Sequence, residues 1–338
     1  FSKTKLDPTI INGGVLNSFS NSARLGKGNW CILESDESDG SFLSVPPTYS
    51  IITNIDSEHL DFYKTLKNLE NHFLKFANKT PSFGKCFICL DDKINKKLIS
   101  RIKNRNFLTY GFNKKANFSL TNVEHDIKFT KFDLNVYLPS RKKDSIKNIK
   151  IPLMGNHNIL NATAATAVAY SIGIPNAVIK TGLKEFKGVE RRFNKIFTYR
   201  NVDYIDDYAH HPTEIKKVLE GVKKIYFNKK KIICIFQPHR ISRFNHLYEE
   251  FSKSFKDADQ IILCPVYNAG ENIKLKVNYN IFSKLLIKNS KVELIIIKNE
   301  HELSKLIKQT IYGNSIVIGM GAGSISSWIR SLPNKIKQ

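Results

Sequence analysis

Acidic side chains are concentrated in the segment LESDESDGSF at residues 33–42, directly after a short apolar run. Its carboxylates belong to Glu34, Asp36, Glu37 and Asp39. Acids this close in sequence repel one another unless a cation lies among them, and carboxylate oxygens are the ligands that Mg²⁺ prefers. The segment indicates a magnesium site, and an acidic turn that caps the following helix is the equal alternative.

A second polar segment, TNIDSEHLDFY at residues 53–63, also follows an apolar run and contains His59. A lone histidine in a loop is usually solvated. Ligands of open parallel sheets, however, bind beyond the carboxyl ends of the strands. Because one predicted strand separates the two segments, we expect Glu34 and His59 to reach the same crevice from neighbouring strand ends.

Amide and imidazole groups stand at the start of an alanine-rich helical pattern, NILNATAATAVAYS at residues 158–171. The groups of His157, Asn158 and Asn161 could read the edge of a purine base. Asparagine and histidine at a helix start can also cap the helix. Capping alone leaves Asn161 unexplained, so a nucleobase contact stays open beside it.

A dense set of ionisable groups follows another predicted strand in VDYIDDYAHHPTEI, residues 202–215. The strand ends at Asp207, and Tyr208 and His210 come before the proline that opens the next helix. Glu214 falls in the first turn of that helix, where a carboxylate is favourable. Packing does not explain this mixture of acids, imidazoles and a phenol beyond a strand end.

The segment IICIFQPHRISR places His239, Arg240 and Arg243 after a further predicted strand. Arginine offers a planar fork to carboxylate or phosphate, and two arginines three positions apart can converge on one anion. Surface arginines are common, so this segment alone is weak evidence for an anion-binding site. Near the C-terminus, GMGAGS at residues 319–324 predicts a tight turn before a helix. The alternative is that the start of this helix binds an anion.

Short apolar runs alternate with amphipathic helical stretches through most of the chain, which is typical of parallel α/β sheets. Residues 105–151 differ, because they read as consecutive strands without an intervening helix. They predict a small antiparallel flap. The length of 338 residues favours two domains, which we place at residues 1–190 and 191–338.

The composition excludes several classes of protein. A content of 41% hydrophobic and 25% charged residues is that of a soluble globular chain, and no apolar run is long enough for a membrane span. The net charge of +23 is spread along the sequence, so solvated lysines are favoured over a nucleic-acid surface. Five cysteines without a secretory signal indicate the cytoplasm, and Cys86 and Cys89 read as a core strand rather than a zinc site.

Taken in order, these segments resemble the Mur ligase family, and the match spans nearly the whole chain. The most specific motifs are DDYAHHPTE and FQPHR, and the others are ESDESDGSF, TNIDSEHLDFY, GNHNILNATAA, GVERRF, VYNAGE and GMGAGS. The resemblance implies a central ATP-binding domain and a Rossmann-like C-terminal domain. It also implies ATP-dependent ligation of L-alanine to UDP-N-acetylmuramate through an acyl phosphate, in peptidoglycan precursor synthesis.

The resemblance assigns roles to particular positions. Glu34 and His59 match metal-binding positions, here for Mg²⁺, and His239, Arg240 and Arg243 match positions that orient alanine and stabilise the oxyanion. His210 is expected to join this catalytic set, and Gly13 with Gly14 resembles the turn that meets the sugar nucleotide. The positions expected to bind ATP are His157, Asn158, Asn161, Arg192, Asp207 and Tyr208.

The family's phosphate-binding loop, G-x-x-G-K-[ST]-T, has no match in these residues and is expected upstream of Asp7. We therefore expect Phe1 to be a cut edge, with a UDP-binding domain before it. Two alternatives stay open within the family, namely an inactive fragment and the related ligase that attaches a recycled tripeptide. The partners expected are small substrates, with neither nucleic acid nor membrane, and the sequence leaves the oligomeric state open.

Overall fold

A computed structural model describes residues 1–103, 106–126, 129–139, 143–227, 229–271 and 277–337. The chain divides into two compact units, Phe1–Gly188 and Val189–Gln338. The division lies close to the one proposed from the sequence. Within the described residues, no helix has the combination of length and apolar character that crossing a bilayer requires.

The first unit contains two sheets rather than one. A three-stranded sheet has the order β2-β1-β3, and a six-stranded sheet has the order β4-β5-β6-β7-β8-β9. The strands are β1 (Thr9–Leu16), β2 (Asn21–Arg24), β3 (Cys31–Leu33), β4 (Tyr49–Ile52), β5 (Lys85–Cys89), β6 (Phe107–Gly111), β7 (Phe118–His125), β8 (Thr130–Val136) and β9 (Asp144–Ile151). The helices are α1 (Leu60–Tyr63), α2 (Leu66–Lys79), α3 (Lys93–Ile99), α4 (Asn156–Ser171) and α5 (Asn176–Lys184), with a 3₁₀ turn at Ser41–Leu43.

The antiparallel strands are present, and they continue the parallel sheet. Strands β4 to β7 run parallel, whereas β8 pairs antiparallel with both β7 and β9. The sequence assigned β6 to the antiparallel set, and that assignment is wrong, because β6 pairs parallel with β5 and β7. The strictly alternating burial of β8 matches a sheet with one buried face, as its sequence pattern predicts.

Helix α4 packs on this sheet through small side chains. Ala162, Ala164 and Ala167 share one core cluster with Phe87 of β5 and Phe118 of β7. Alanine lets the helix axis approach the sheet closely while it costs little side-chain entropy. The run at Cys86 and Cys89 is the buried strand β5, as predicted.

The second unit is a doubly wound α/β fold. Its six-stranded sheet has the order β10-β11-β15-β12-β13-β14, parallel except for β10. The strands are β10 (Asn194–Tyr199), β11 (Val202–Asp207), β12 (Lys231–Phe236), β13 (Gln260–Leu263), β14 (Glu293–Ile296) and β15 (Ser315–Met320). The helices are α6 (Pro212–Tyr226), α7 (Ile241–His246), α8 (Tyr248–Lys253), α9 (Tyr279–Ser290), α10 (Glu300–Thr310) and α11 (Ile325–Lys337).

A hydrophobic core lies on each face of this sheet. Along β12, Cys234 and Phe236 belong to one core cluster, and Ile233 and Ile235 belong to the other. Because side chains alternate between faces, this strand must be apolar at consecutive positions, which is the run that the sequence shows. The pairing of β11, β15, β12 and β13, with the helices packed on both faces, therefore holds the strand ends in fixed register.

Candidate functional site

The ends of three neighbouring strands carry the polar residues of the second unit. Met320, the last residue of β15, pairs with Asp207 at the end of β11 and with Phe236 at the end of β12. The segments that follow, 208–211, 237–240 and 321–324, therefore start at one edge of the sheet. This is the edge at which open parallel sheets bind ligands.

His210 lies at the start of helix α6 with a fixed ring orientation. Its Nδ1 is 2.9 Å from the carbonyl oxygen of Tyr208 and 3.4 Å from a carboxylate oxygen of Glu214. These acceptors favour the tautomer in which Nδ1 carries the proton, which leaves Nε2 with a lone pair. Burial lowers the pKa of His210, against the opposing effect of Glu214. The ring is neutral at pH 7 and can accept a proton at Nε2.

Glu214 organises the same turn. Its carboxylate accepts hydrogen bonds from the backbone N–H groups of His210 and His211 at 3.0 and 3.3 Å. With His211 as N-cap and Pro212 as the first helical residue, α6 starts with a capping box. The sequence predicted Pro212 and Glu214 in these places, and both predictions are confirmed.

His239 is held between two rings beyond β12. It stacks on Tyr267 with centroids 5.7 Å apart and meets His210 edge to face at 5.8 Å. Burial, followed by the positive charges and imidazole around it, lowers the pKa of His239 to about 4. Among the described residues, its Nδ1 and the Nη1 of Arg243 are buried without a hydrogen-bond partner.

Unsatisfied buried donors of this kind are rare, because each costs about 1–3 kcal/mol in lost hydration. A guanidinium N–H group carries positive charge and cannot become an acceptor, so the missing partner of Arg243 is an acceptor atom, and an anionic oxygen suits its charge best. The structure brings together His210, His239 and Arg243, which the sequence placed in separate segments. Arg240 precedes α7 in the same turn, and its side chain is exposed.

Arg191 and Arg192 lie on the other side of Tyr208. Their guanidinium carbons are 4.7 and 5.5 Å from the centre of the Tyr208 ring. Arg191 donates to the carbonyl of Gly321 at 2.7 Å, and Arg192 reaches Glu214 at 3.5 Å. Arg192 is exposed and so can contact a ligand, as the sequence proposed.

Asp207 is more enclosed than a ligand-binding acid usually is. Its side chain is 3% exposed, and its two oxygens accept from the N–H groups of Phe193 and Ala209, each at 2.8 Å. Burial raises the pKa of Asp207 to about 6 despite these bonds. In this arrangement the carboxylate shapes the 191–193 and 208–209 turns, and the ribose contact implied by the resemblance stays a prediction.

The turn after β15 requires glycine because side chains from two other segments of the chain lie very close to it. A Cβ atom at Gly323 would lie 2.5 Å from Oε1 of Gln237 and 2.6 Å from Cγ of Tyr267. The buried Gln237 also accepts from the N–H of Ile325 at 2.9 Å. The first amide of α11 is therefore occupied by Gln237 rather than by an anion.

Gly323→Ala should accordingly destabilise the protein. The added methyl group must displace Gln237 or Tyr267, and overpacking of this kind costs about 1–3 kcal/mol. Chemical denaturation would measure the loss in free energy of unfolding. Gly182→Ala is the control, because a Cβ there meets only Lys3 at 3.8 Å within helix α5. Equal stability of Gly323→Ala and the unchanged protein would contradict the tight packing of this turn.

The first unit contains a cluster that can hold a cation. Ligand atoms of Glu37, Glu58 and His59 lie within 4.8 Å of one another. Nε2 of His59 is 3.6 Å from Glu37 and 3.7 Å from Glu58. Burial first, and then the charges of Glu37, Asp39 and Asp36, raise the pKa of the Tyr63 phenol to about 12.

The expectation that Glu34 and His59 extend from neighbouring strands of one sheet is wrong. Glu34 follows β3, which pairs with β1 in the small sheet, whereas His59 follows β4 of the large sheet. Glu34 instead accepts the N–H of Gly13 at 2.7 Å. The carboxylates nearest to His59 come from Glu37, which the sequence grouped with Glu34, and from Glu58, which it did not single out.

Gly13 and Gly14 do not form a turn, and that expectation is also wrong. Both lie within strand β1, whose register against β2 shifts between Ile11 and Leu16. Glycine weakens a regular strand and commonly marks such an irregularity. The hydrogen bond between Gly13 and Glu34 nevertheless connects a position that the resemblance assigned to the sugar nucleotide with one that it assigned to the metal.

The start of α4 presents the residues proposed to contact adenine. His157, Asn158 and Asn161 lie in its first two turns, spaced so that they share one side of the helix. Gly155 is the N-cap residue with φ 90°, and no side chain caps it. Asn158 donates to the carbonyl of Met154 at 2.7 Å. N-capping, the alternative, therefore does not explain why these three polar side chains stand at the start of α4.

Several residues of the second site were missed. Tyr267, Glu271 and Arg191 stood in motifs that carried the resemblance, but no role was given to them. Gln237 stood in the FQPHR motif and was also unassigned. The isolated bridge between His239 and Tyr267 brings the β12 and β13 ends together, and this long-range pairing has no local signal in the sequence.

The fold of each unit is that of a known class of enzyme. Residues 14–169 match the Mur ligase middle domain, and residues 191–323 match the Mur ligase glutamate ligase domain. The chain belongs to the Mur ligase family.

Individual relatives are more specific. The chain is 60% identical to the UDP-N-acetylmuramate–L-alanine ligase of Pelagibacter ubique (strain HTCC1062), over 99% of this chain and 72% of the relative. It is 38% identical to the enzyme with the same name in Bartonella tribocorum, over 98% of this chain and 69% of that protein. The crystal structure of UDP-N-acetylmuramate-alanine ligase from Thermotoga maritima aligns with a TM-score of 0.79 at 28% identity, covering 99% of this chain and 70% of that one.

Proposed function

We propose that this protein joins L-alanine to UDP-N-acetylmuramate with consumption of ATP, in peptidoglycan precursor synthesis. The similarity to relatives with that name supports the proposal. The structural observation that carries it is the pair of buried, unpartnered atoms on His239 and Arg243 beside a neutral His210. Such a site suits a small zwitterion, which brings a carboxylate and must lose a proton from its ammonium group.

The reaction proceeds in two steps. The muramate carboxylate attacks the γ-phosphorus of ATP, ADP leaves, and an acyl phosphate is formed. The amine of alanine then attacks the acyl carbon, and inorganic phosphate leaves as the amide forms. Alanine is protonated at neutral pH, so the second step needs a proton acceptor as well as groups that hold its carboxylate.

The residues of the second unit can supply both needs. Arg243, with Arg240 three positions before it, offers guanidinium donors to the alanine carboxylate or to the developing oxyanion. The Nε2 lone pair of His210 can accept the amine proton, because Nδ1 is committed to Tyr208 and Glu214. His239, with its pKa of about 4, is neutral and contributes a hydrogen bond rather than a charge.

The nucleotide is assigned to residues that the sequence selected. His157, Asn158 and Asn161 on the exposed start of α4 suit an adenine edge, and Arg192 suits a phosphate oxygen. The resemblance adds Tyr208 and Asp207 to this set, and the Asp207 carboxylate, which already accepts from two backbone N–H groups, must use a remaining lone pair to hold a ribose hydroxyl. Gly13 and Gly14, whose strand irregularity exposes backbone beside Glu34, are assigned to the sugar nucleotide.

The residues at the first site fit a magnesium ion. Glu37 and Glu58 offer hard carboxylate oxygens, and Mg²⁺ is commonly held by one or two carboxylates together with substrate phosphates. We propose that Glu37, Glu58 and His59 hold the ion, with Glu34 as a further position implied by the resemblance. When bound, Mg²⁺ neutralises charge on the phosphate oxygens as the two anionic substrates approach. Use of ATP and a UDP-sugar places the proposed reaction in the cytoplasm.

Phosphate release tests the proposal directly. We expect ATP-dependent phosphate release only when UDP-N-acetylmuramate, L-alanine and Mg²⁺ are all present. Since the chain covers about 70% of its relatives, the assay compares it with a chain extended upstream of Phe1. Equal turnover with a tripeptide in place of alanine would instead support the related tripeptide ligase. No phosphate release by either chain would contradict the proposed function.

A further inference from the structure

Helix α7 starts from an unusual backbone conformation. Arg240, the residue before it, has φ 66° and ψ 128°. Residues with a side chain rarely adopt such a conformation, which costs about 1–3 kcal/mol and persists only where surrounding contacts impose it. The turn matters because it sets the direction of α7 and hence the position of Arg243.

One carboxylate holds the start of this helix. Glu271 Oε2 accepts from the N–H groups of Ile241 and Ser242 at 2.8 and 3.2 Å, and its Oε1 accepts from the Ser242 hydroxyl. The first N–H groups of a helix have no partner within the helix. Glu271, from a distant part of the chain, therefore replaces the missing N-cap side chain of α7.

The segment that contains Glu271 also holds the residue before the helix. Tyr267 donates its N–H to the carbonyl of Pro238 at 2.9 Å, and its own carbonyl accepts the N–H of Arg240 at 2.8 Å. Its ring stacks on His239. His239 and Arg240 are therefore fixed on one side by Tyr267, and the start of α7 is fixed on the other by Glu271.

The charge of Glu271 is preserved in this setting. Partial burial would raise its pKa, but the hydrogen bonds from Ser242 and Ile241, with the charge of Arg240, lower the pKa overall. The carboxylate is thus ionised at pH 7. Its three hydrogen-bond donors and the one positive charge beside it all come from the turn itself, so Glu271 is occupied rather than directed at a substrate.

We infer that Glu271 is a positioning residue, whose carboxylate holds Arg240 and the first turn of α7 so that Arg243 and His239 face the same substrate. This inference rests on the proposed function for the identity of that substrate, L-alanine. Glu271 itself acts through the arginines. Its role is therefore geometric, and a side chain of the same shape with the same hydrogen bonds can replace it.

Two variants separate geometry from charge. Glu271→Ala removes every hydrogen bond to α7. Glu271→Gln keeps an oxygen that accepts from Ile241 and Ser242, and its amide N–H can donate to the Ser242 hydroxyl. Glu249→Ala is the matched control, since Glu249 is an exposed acid in α8 that pairs with Lys253. Thermal unfolding of each variant first checks that the protein is folded.

Hydrogen exchange of the free protein gives the first readout. In Glu271→Ala we expect the amides of residues 240–247 to lose protection, while those of β12 keep it. Glu271→Gln and Glu249→Ala should retain protection in both segments. Unchanged exchange at residues 240–247 in Glu271→Ala would overturn the inference, and this measurement needs no substrate.

Kinetics give the second readout. In Glu271→Ala, kcat/KM for L-alanine should fall about 100-fold, as expected when a binding group moves by about 1 Å, while KM for ATP stays unchanged. Glu271→Gln should restore most of the activity. Equal loss in both variants would show that the charge itself acts, and would overturn a positioning role. If neither the unchanged protein nor the chain extended upstream of Phe1 releases alanine-dependent phosphate, the proposed function fails, and the exchange result still decides the role of Glu271.

Discussion

Arg243→Met is expected to lower kcat/KM for L-alanine by about 100- to 1000-fold, the usual result of removing one preorganised donor from an anion-binding site. Methionine retains much of the apolar volume of arginine but has no N–H group. The buried Nη1 of Arg243 has no hydrogen-bond partner within the described parts of the chain, so this N–H group is free to bind the alanine carboxylate. Steady-state phosphate release at varied alanine concentration would measure the loss.

The same variant should not unfold more easily. Arg243→Met removes a desolvated donor whose burial costs about 1–3 kcal/mol, so the free energy of unfolding should stay equal or rise. Arg200→Met is the control, because Arg200 lies in the same unit, is exposed, and within the described residues donates to the carbonyl of Lys308 and lies over the Tyr199 ring. If Arg243→Met instead lost much of its free energy of unfolding, and lost activity in proportion, Arg243 would have a structural role rather than a role in binding alanine.

Arg243→Lys distinguishes charge from geometry. Lysine keeps the positive charge but lacks the planar fork that binds a carboxylate through two parallel hydrogen bonds. We expect it to recover only a small part of the lost activity. Full recovery would show that Arg243 acts as a simple charge and that its fork is not used.

The sequence predicted best those features that depend on neighbours in the chain. The start of α6 at Pro212 and the buried strand at Cys86 follow from local patterns, and both are confirmed. The polar groups after β11 and β12 were found because a strand end is itself a local feature. His210 and His239 could therefore be selected before their contact was known.

Features that depend on pairing between distant strands were not predictable in this way. Strand β3 has only three residues, too few for a periodic pattern, and its pairing with β1 removes Glu34 from the sheet that carries His59. The bridge between His239 and Tyr267 likewise depends on tertiary register. For this reason Glu271 and Tyr267 received no role, although both stood in a recognised motif.

The acidic cluster of the first unit gives the second large effect. Carboxylates of Glu37 and Glu58 lie beside His59, and burial together with the charge of Glu37 and its acidic neighbours raises the pKa of the nearby Tyr63 phenol. Ligand oxygens of Glu37 and Glu58 lie within 4.8 Å of each other, so their charges repel, although partial exposure and the His59 ring reduce this well below the roughly 4 kcal/mol of a bare pair at an effective dielectric constant of 20. The repulsion destabilises the cation-free protein, so binding of a divalent ion should relieve it.

Glu37→Gln is therefore expected to have opposite effects on stability and on magnesium use. Without Mg²⁺ the variant should unfold at a higher temperature, because one of two repelling charges is gone. The Mg²⁺ concentration for half-maximal activity should rise about tenfold or more, and the stabilisation that Mg²⁺ gives the unchanged protein should be largely lost. Thermal unfolding in EDTA and in Mg²⁺, together with a Mg²⁺ titration of phosphate release, measures both effects.

The remaining variants decide which acid is a ligand. Glu70→Gln is the control, since Glu70 lies in α2 and approaches Arg101 at 3.8 Å. If the contact with Gly13 is the main role of Glu34, Glu34→Gln should leave the Mg²⁺ titration nearly unchanged. If Glu34 is instead a metal ligand, as the family resemblance implies, Glu34→Gln should shift the titration as strongly as Glu37→Gln. Titrations of Glu37→Gln and the unchanged protein that superimpose would contradict the cluster as the magnesium site, because a lost carboxylate ligand must weaken binding of a hard cation.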